Sequence, residues 1–180
     1  VAPTQLYPLS SEDFFRVPPE GCELLKQKFN LAFIDGDHRF ESVLDDFIRL
    51  EPWAAPGALI VLHDTLPLTQ VTASPNRQSG FYTGDGWKIV PCLRGLRPQL
   101  HIVSLPVAPT GLTLVTGLDP ASNLLRERRE DILATYEGLS AEQVLERPGF
   151  AARPFVDNSF DGVRRWLDEH LRGAGAQSHS

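Results

Sequence analysis

Two stretches of sequence decide the fold: NLAFIDGDHRFESVLDDF at residues 30–47 and APGALIVLHDT at residues 55–65. The first begins with a short apolar run, 31–34, and continues over 39–51 with apolar residues spaced for one face of a helix. The second contains a continuously apolar run, 58–62, as expected of a parallel strand covered on both faces. Together they predict a βαβ unit with a right-handed crossover.

Two more strands and a helix are predicted downstream of this unit. Strands at 101–105 and 111–115 are separated by a short proline-containing segment, which fits a hairpin-like connection. A helix is predicted for 85–96, and Pro91 within it is expected to bend or break it. The stretch 66–84 contains several Pro, Ser and Gly residues and predicts a long loop of the kind that covers binding sites.

Composition narrows the class of protein. The chain has 180 residues and a formal net charge of −6, which argues against a basic nucleic-acid surface or a polybasic membrane surface. No apolar run approaches the roughly 20 residues of a membrane helix. Two cysteines do not form a disulfide framework, so a reducing, cytoplasmic location is expected. The chain begins with Val1 and contains no methionine, from which we expect an N-terminus that was processed, trimmed or cut.

Polar residues follow both strands of the βαβ unit. Asp35 comes directly after the first strand, and Asp64 closely follows the second. Ligands bind beyond the carboxyl ends of parallel strands, and neighbouring strands lie about 4.8 Å apart. We therefore expect these two carboxylates to point into one small volume. Three more polar side chains lie beside them in sequence: Asp37, His38 and His63.

Such a cluster allows three kinds of site. Carboxylates and the hydroxyl of Thr65 can bind a hard cation such as Mg²⁺. His38 or Asp37 can act as a general base toward a substrate hydroxyl. The carboxylates can also bind a ligand's hydroxyl or amino groups directly. A purely structural interpretation stays open, because Asp-Gly-Asp favours a turn and Asp64–Thr65 could cap a helix.

The two quoted stretches resemble the segment from the fourth to the fifth strand of class I S-adenosylmethionine-dependent methyltransferases. They are closest to a subgroup whose motif reads F-I-D-G-D-H, an aromatic residue and E, followed by L-x-P-G-G and H-D. YPLSSEDFF at residues 7–15 is similar to the segment after the third strand, and PTGLTLV at 109–115 to the last strand. The resemblance covers roughly residues 5–120 and implies a three-layer α/β, Rossmann-like sheet with C-terminal helices.

The resemblance implies S-adenosylmethionine as cofactor and places three residues around it. Asp35, at the end of the family's fourth strand, would lie beside the sulfonium group of the cofactor. Ser11 and its neighbour Glu12 would line the adenine edge.

The resemblance also implies roles near the methyl acceptor. Asp64 and Thr65, together with Asp35, stand at positions that hold a divalent metal such as Mg²⁺ in metal-dependent members. Asp37 or His38 would be the general base, which matters because a hydroxyl is a poor nucleophile until its proton is removed.

The glycine-rich turn that follows the family's first strand is not found in this sequence. The close glycine cluster at 80–86 follows a polar loop and predicts loop structure rather than a cofactor cradle. Without the first two strands of the family, the outer edge of 31–34 would be open and apolar, and such edges recruit other chains. We expect one of three arrangements: a front half absent from this chain, pairing of residues 3–9 with this strand, or pairing of two chains.

The predicted organisation is a partial Rossmann-like methyltransferase domain over 1–118, its helical extension over 119–172 and a disordered tail over 173–180. The predicted function is methyl transfer to a hydroxyl of a small molecule or sugar by a homo-oligomer, without nucleic-acid or membrane partners. The alternative is a non-catalytic, truncated methyltransferase-like domain that serves as a binding or oligomerisation module. Another doubly wound α/β enzyme is a weaker alternative, because it would need a phosphate-binding glycine loop.

Overall fold

The computed structural model of the chain describes residues 4–17, 26–78, 80–145 and 155–171. These residues contain four strands: β1 Phe29–Ile34, β2 Ala54–His63, β3 His101–Leu105 and β4 Leu112–Thr116. They form one mixed sheet in the order β1-β2-β4-β3. β1 and β2 run parallel, whereas β4 is antiparallel to both β2 and β3. The predicted βαβ unit and the predicted hairpin are both confirmed.

The described part of the chain also contains helices on either side of the sheet and after it. The α-helices are α1 Ser11–Arg16, α2 Phe40–Leu50, α3 Ile89–Leu96, α4 Leu124–Glu127, α5 Arg129–Glu137, α6 Ala141–Leu145 and α7 Phe160–Leu171. Short 3₁₀ turns occupy Glu51–Trp53 and Gly86–Lys88. Among the described helices, none is both long and apolar enough to cross a membrane.

The sheet has apolar helices packed on both faces. On one face, Leu44 and Phe47 of α2 are fully buried in a cluster that includes Ile60 and Leu62 of β2. On the other face, the apolar side of α7 packs against buried side chains of β3 and β4. Apolar residues alternate between the two faces along each strand, so both faces need a cover. The result is a three-layer α/β, Rossmann-like arrangement, as predicted.

The helix predicted for 85–96 is divided differently from the expectation. A 3₁₀ turn occupies Gly86–Lys88, and the α-helix begins only at Ile89. Pro91 therefore lies in the first turn of α3, where backbone N–H groups have no partner within the helix. A proline is tolerated there, and α3 continues past it to Leu96, so the prediction that Pro91 breaks the helix is wrong.

β1 forms one edge of the sheet, and within the described residues it pairs only with β2. Residues 4–9 form no strand, so the expectation that residues 3–9 pair with β1 is wrong for these residues. Leu31 and Phe33 are 64% and 57% exposed, on the face of β1 that α7 does not cover. The other two arrangements, a front half or a second chain at this edge, remain predictions.

Candidate functional site

The carboxyl ends of β1 and β2 bring three polar side chains together, as predicted for Asp35 and Asp64. His63 Nδ1 lies 3.0 Å from Asp35 Oδ1 and 3.2 Å from Asp64 Oδ1. Asp64 has a φ of 54°, in the left-handed region that Asp tolerates better than most residues. This conformation turns the chain sharply at the end of β2 and leaves the Asp64 side chain mostly buried beside both histidines.

Asp35, His63 and Asp64 together form a candidate metal centre. Each offers one ligand atom, and these three atoms lie within 4.8 Å of one another. His63 was expected near the carboxylates but was not among the predicted ligands. An imidazole nitrogen suits Zn²⁺, Fe²⁺ and similar ions, whereas Mg²⁺ prefers oxygen ligands alone. The donor set therefore fits a divalent cation, with the nitrogen favouring a transition metal over Mg²⁺.

Thr65 lies next to this group in sequence, but its hydroxyl is engaged elsewhere. Thr65 is buried, and its Oγ1 accepts a hydrogen bond of 2.8 Å from Thr113 on β4. Thr113 in turn shares a 2.9 Å hydrogen bond with Ser104 on β3. The three hydroxyls form a buried network across the strands, and this network gives Thr65 a structural role. No helix begins at Thr65 in the described residues, so the helix-cap interpretation of Asp64–Thr65 is wrong.

His38 lies on the turn after β1 and faces Asp64. Its Nδ1 is 2.8 Å from Asp64 Oδ2, and its side chain is 32% exposed. A carboxylate at Nδ1 favours the tautomer that carries the proton there, which leaves the Nε2 lone pair available as a base. Asp64 is therefore close enough to orient His38 as a general base, although the Nδ1–Oδ2 contact is not a well-aligned hydrogen bond in this structure.

The Nδ1 atoms of His38 and His63 share an unusual environment. Both atoms are buried, and neither makes a well-aligned hydrogen bond with the described residues. Each nevertheless lies within 3.2 Å of a carboxylate oxygen. Buried polar atoms normally have a partner, so this cluster is incomplete without a bound ion or a ligand group.

Asp37, the other predicted base, is engaged with its neighbours. Its Oδ2 accepts hydrogen bonds from Arg39 Nε at 2.7 Å and from Ser42 Oγ at 2.9 Å. The Arg39 guanidinium lowers the pKa of the Asp37 carboxyl. A carboxylate with a lowered pKa is a weak proton acceptor, so the structure favours His38 over Asp37 as the base.

The segment after the long loop fixes the position of His38, a role that the sequence did not reveal. Gly86 N–H donates to the carbonyl of His38 at 2.9 Å. Gly84 has a φ of +63°, and a Cβ added there would lie 2.0 Å from the His38 carbonyl oxygen. The ring of Tyr82 is nearly parallel to the His38 imidazole, with centroids 6.1 Å apart. The glycine cluster predicted as plain loop structure thus packs directly on the candidate base.

A cavity of about 470 Å³ lies on the other side of the turn after β1. Two of the predicted cofactor residues, Ser11 and Asp35, line it, whereas Glu12 is exposed and pairs with Arg16. The lining residues are Ser11, Phe15, Phe33, Ile34, Asp35, Gly36, Asp46 and Leu50.

Asp46 of α2 is a further polar residue in this cavity. Burial raises the pKa of Asp46. Its Oδ1 atom is buried, lies 3.6 Å from Arg49 Nη1 and makes no hydrogen bond with the described residues. Asp46 thus adds a carboxyl group to the lining of this cavity. The sequence pattern of α2 did not distinguish Asp46 from the exposed acidic residues of the same helix.

The same part of the chain matches a known family. Residues 8–65 match the family model described as a methyltransferase domain. The match covers about a third of the chain, and over that segment the chain is similar to methyltransferase domains. The match spans α1 to the end of β2 and includes the candidate base and the strand-end carboxylates. No curated protein and no solved structure shows a significant match to the chain.

This similarity supports S-adenosylmethionine-dependent methyl transfer as the general chemistry of the matched segment. The F-I-D-G-D-H subgroup, the acceptor and the role of each site residue stay predictions.

Proposed function

We propose that this chain transfers a methyl group to a hydroxyl of a small molecule at the carboxyl ends of β1 and β2. The observation that carries the proposal is the placement of His38, with its Nδ1 2.8 Å from Asp64 Oδ2 inside the segment that matches the family. A histidine oriented by a carboxylate is the arrangement expected of a general base acting on a hydroxyl.

The cavity beside α1 has the chemistry of a cofactor pocket. Phe15 and Phe33 offer aromatic surface to an adenine ring, and the Asp46 carboxyl adds a polar group to the same lining. The Asp35 carboxylate lines the same cavity at its border with the strand-end cluster. Its negative charge would favour a sulfonium placed there.

In the proposed reaction, the cofactor lies on one side of Asp35 and the candidate base His38 on the other. S-adenosylmethionine, held in the cavity that Asp35 lines, would supply an electrophilic methyl group on its sulfonium. The acceptor hydroxyl would form the new carbon–oxygen bond, and the electron pair of the carbon–sulfur bond would stay with sulfur in the neutral thioether. His38 Nε2 takes the hydroxyl proton, and the carboxylate of Asp64 stabilises the resulting imidazolium.

A divalent metal is a second proposed component of the site. Asp35, His63 and Asp64 would hold the ion, which would lower the pKa of an acceptor hydroxyl. The resemblance implies Mg²⁺, whereas the nitrogen of His63 favours a transition metal such as Zn²⁺ or Fe²⁺.

Metal binding can be measured by titration with Mn²⁺ followed by electron paramagnetic resonance. We expect Asp64→Asn to weaken Mn²⁺ binding by about 10-fold or more, as removal even of outer-shell partners costs about 10–100-fold. Asp37→Asn is the matched control, because Asp37 bonds to Arg39 and Ser42 instead of joining the ligand group. Equal Mn²⁺ affinity in Asp64→Asn and wild type would contradict the metal centre.

The base is tested by replacing His38 with asparagine. Formation of S-adenosylhomocysteine is measured with a panel of phenols and sugars as acceptors. We expect His38→Asn to lower the rate by about 10²–10⁴-fold, the usual contribution of a general base. His101→Asn is the control, since His101 begins β3 at the opposite end of the sheet. An unchanged rate in His38→Asn would overturn the proposal.

The non-catalytic alternative also rests on a specific observation. Leu31 and Phe33 form an exposed apolar face at the sheet edge, which suits a binding or oligomerisation module. Such a module would associate through β1 without binding the cofactor. Cofactor binding therefore separates the two functions.

A further inference from the structure

A buried carboxylate, Asp85, lies in the segment that packs against the backbone of the candidate base. Asp85 is 6% exposed, and its Oδ1 atom accepts a hydrogen bond of 2.9 Å from the backbone N–H of Phe40. The next residue, Gly86, donates its N–H to the carbonyl of His38 at 2.9 Å. We propose that Asp85 is a positioning residue for His38. The inference rests on the proposed function, because it assigns a second residue to the action of the same base.

The contact with Phe40 supplies a cap that the start of α2 does not provide for itself. Arg39 is the N-cap residue of α2, and its side chain makes no capping hydrogen bond. The first backbone N–H groups of a helix have no partner within the helix, and a negative group is favoured beside them. Asp85 provides such a group from 45 residues further along the chain. The start of α2, two residues after His38, is therefore fixed by Asp85.

Lys88 holds the Asp85 carboxylate in place. Lys88 is 3% exposed, and its Nζ atom lies 2.9 Å from Asp85 Oδ2. The same nitrogen donates a hydrogen bond of 3.0 Å to the carbonyl of Glu137, at the end of α5. The two oxygens of Asp85 thus have separate buried partners, one on α2 and one on the 3₁₀ turn before α3. The carboxylate cannot rotate without breaking one of these contacts, and a buried charge without a partner is costly.

The imidazole of His38 depends on this backbone for its direction. The Nδ1–Oδ2 contact with Asp64 is not a well-aligned hydrogen bond, so Asp64 does not fix the ring by itself. Gly86 holds the carbonyl of His38, and Asp85 holds the N–H of Phe40. These contacts from consecutive residues fix the chain at His38 and just after it. Loss of the Asp85 contact should therefore turn the imidazole relative to Asp64.

The environment of the imidazole is measured by NMR of histidine labelled with carbon-13 at Cε1. The chain has five histidines, and the His38→Asn variant identifies the signal of His38. We expect Asp85→Ala to shift this signal and to leave that of His101, which begins β3 at the opposite end of the sheet, unchanged. Asp131→Ala removes an exposed carboxylate of α5 and is the matched control, in which both signals should stay in place. An unmoved His38 signal in folded Asp85→Ala overturns the inference.

Two double variants separate the contact with Phe40 from the loss of charge and allow for poor folding of Asp85→Ala. Asp85→Asn with Lys88→Gln removes both charges and keeps an oxygen that can accept from the Phe40 N–H. Asp85→Leu with Lys88→Gln removes both charges and the oxygen. Neutral replacement of a whole buried ion pair is often tolerated, whereas removal of one partner is not. We expect the His38 signal to stay near the wild-type position only in the variant with Asp85→Asn, and the same signal in both would overturn the inference.

Kinetics distinguish a positioning role from a purely structural one. Asp85 does not line the proposed cofactor pocket, so the KM for S-adenosylmethionine should stay at the wild-type value in Asp85→Ala. The kcat per folded molecule should fall about 10²-fold, the effect of a displacement of about 1 Å. In the His38→Asn background the same change should cause no further loss, because Asp85 acts through His38. An equal further loss in that background overturns the inference. A His38 signal that depends on Asp85, with unchanged methyl transfer in His38→Asn, would contradict the proposed function alone.

Discussion

Gly84 illustrates how one residue outside the site motifs can control the candidate base. Its φ of +63° is in the region that glycine adopts readily, and its α-carbon packs against the backbone of His38. A side chain at this position would push the His38 carbonyl away and change the direction of the imidazole.

We therefore expect Gly84→Ala to lower the free energy of unfolding by about 1–3 kcal/mol, the usual cost of backbone strain. Methyl transfer should fall by about 10²-fold, because a displacement of about 1 Å has that effect on catalysis. Urea unfolding and a rate assay check this. In Gly138→Ala, the added Cβ has no neighbour within 4 Å, and this variant should unfold like wild type. A Gly84→Ala protein with wild-type stability and rate would contradict the role of Gly84.

Asp46 allows a pH-dependent prediction. Burial raises the pKa of Asp46, so the native state binds the carboxyl proton of this residue more strongly than the unfolded chain does. The contribution of protonated Asp46 to the free energy of unfolding is complete below the pKa of the unfolded chain. It is lost as the pH rises through the pKa of the native state.

Asp46→Asn should therefore raise the free energy of unfolding at pH 7, and the gain should shrink as the pH falls below about 4. Urea unfolding at both pH values measures the difference. Asp157→Asn, at an exposed position, should change stability little at either pH. A stability gain in Asp46→Asn that does not depend on pH would show that burial of the charge is not its cause.

At the residue scale, the proximity of Asp35 and Asp64 was predictable from strand geometry alone. The role of His38 stays a prediction. The roles of Gly84 and Asp46 could not be predicted, because each depends on contacts between segments distant in sequence. Thr65 was assigned to the metal from the family resemblance, but Thr113 on β4 donates a hydrogen bond to its hydroxyl.

Among the described strands, β1 has the most exposed apolar surface available for association with another chain. It is an edge strand, and Leu31 is 64% exposed on its uncovered face. Exposed apolar edge strands promote association unless charges or covering segments protect them. The predicted homo-oligomer would be one way to cover this face.

Leu31→Thr should reduce self-association, because threonine keeps the β propensity of the strand while removing apolar surface. Sedimentation velocity measures the distribution of species. Leu68→Thr is the matched control, since Leu68 is 49% exposed on the long loop and lies outside the sheet. If Leu31→Thr and Leu68→Thr both associate like wild type, the β1 face is not the contact.

Element types were predictable because periodicity is a local property of the sequence. The apolar run 58–62 and the helical spacing over 39–51 identified β2 and α2 before any contact was known. Element boundaries were less predictable, as Pro91 shows: its effect depends on where the helix begins, and the 3₁₀ turn before α3 sets that point.

At the scale of the whole molecule, a buried ion pair between Glu51 and Arg97 connects segments that are distant in sequence. Arg97 donates to both carboxylate oxygens of Glu51 at 2.8 and 2.7 Å, and the Glu51 carboxylate also accepts from the backbone N–H of Asp119. Glu51 and Arg97 are 3% and 1% exposed. The contact joins the end of α2 to the end of α3 and to the chain after β4.

Arg97→Met should lower the free energy of unfolding by about 3–5 kcal/mol, because it leaves the buried Glu51 carboxylate without its cation. Denaturant unfolding provides the measurement. Arg164→Met removes an arginine from an exposed pair with Asp168 and should cost less than about 1 kcal/mol. Similar losses in the two variants would contradict a structural role for the buried pair.

The central claim about the whole molecule is that the β1 and β2 ends form a methyltransferase site with Asp35 beside the sulfonium. Calorimetric titration with S-adenosylmethionine and S-adenosylhomocysteine tests it most directly, with Asp161→Asn on α7 as the control. We predict that wild type binds both ligands. Asp35→Asn should weaken the binding of S-adenosylmethionine by about 10-fold and the binding of S-adenosylhomocysteine by less, because only S-adenosylmethionine carries a sulfonium. No binding by the folded chain, or equal S-adenosylmethionine affinity in Asp35→Asn and wild type, would contradict the account.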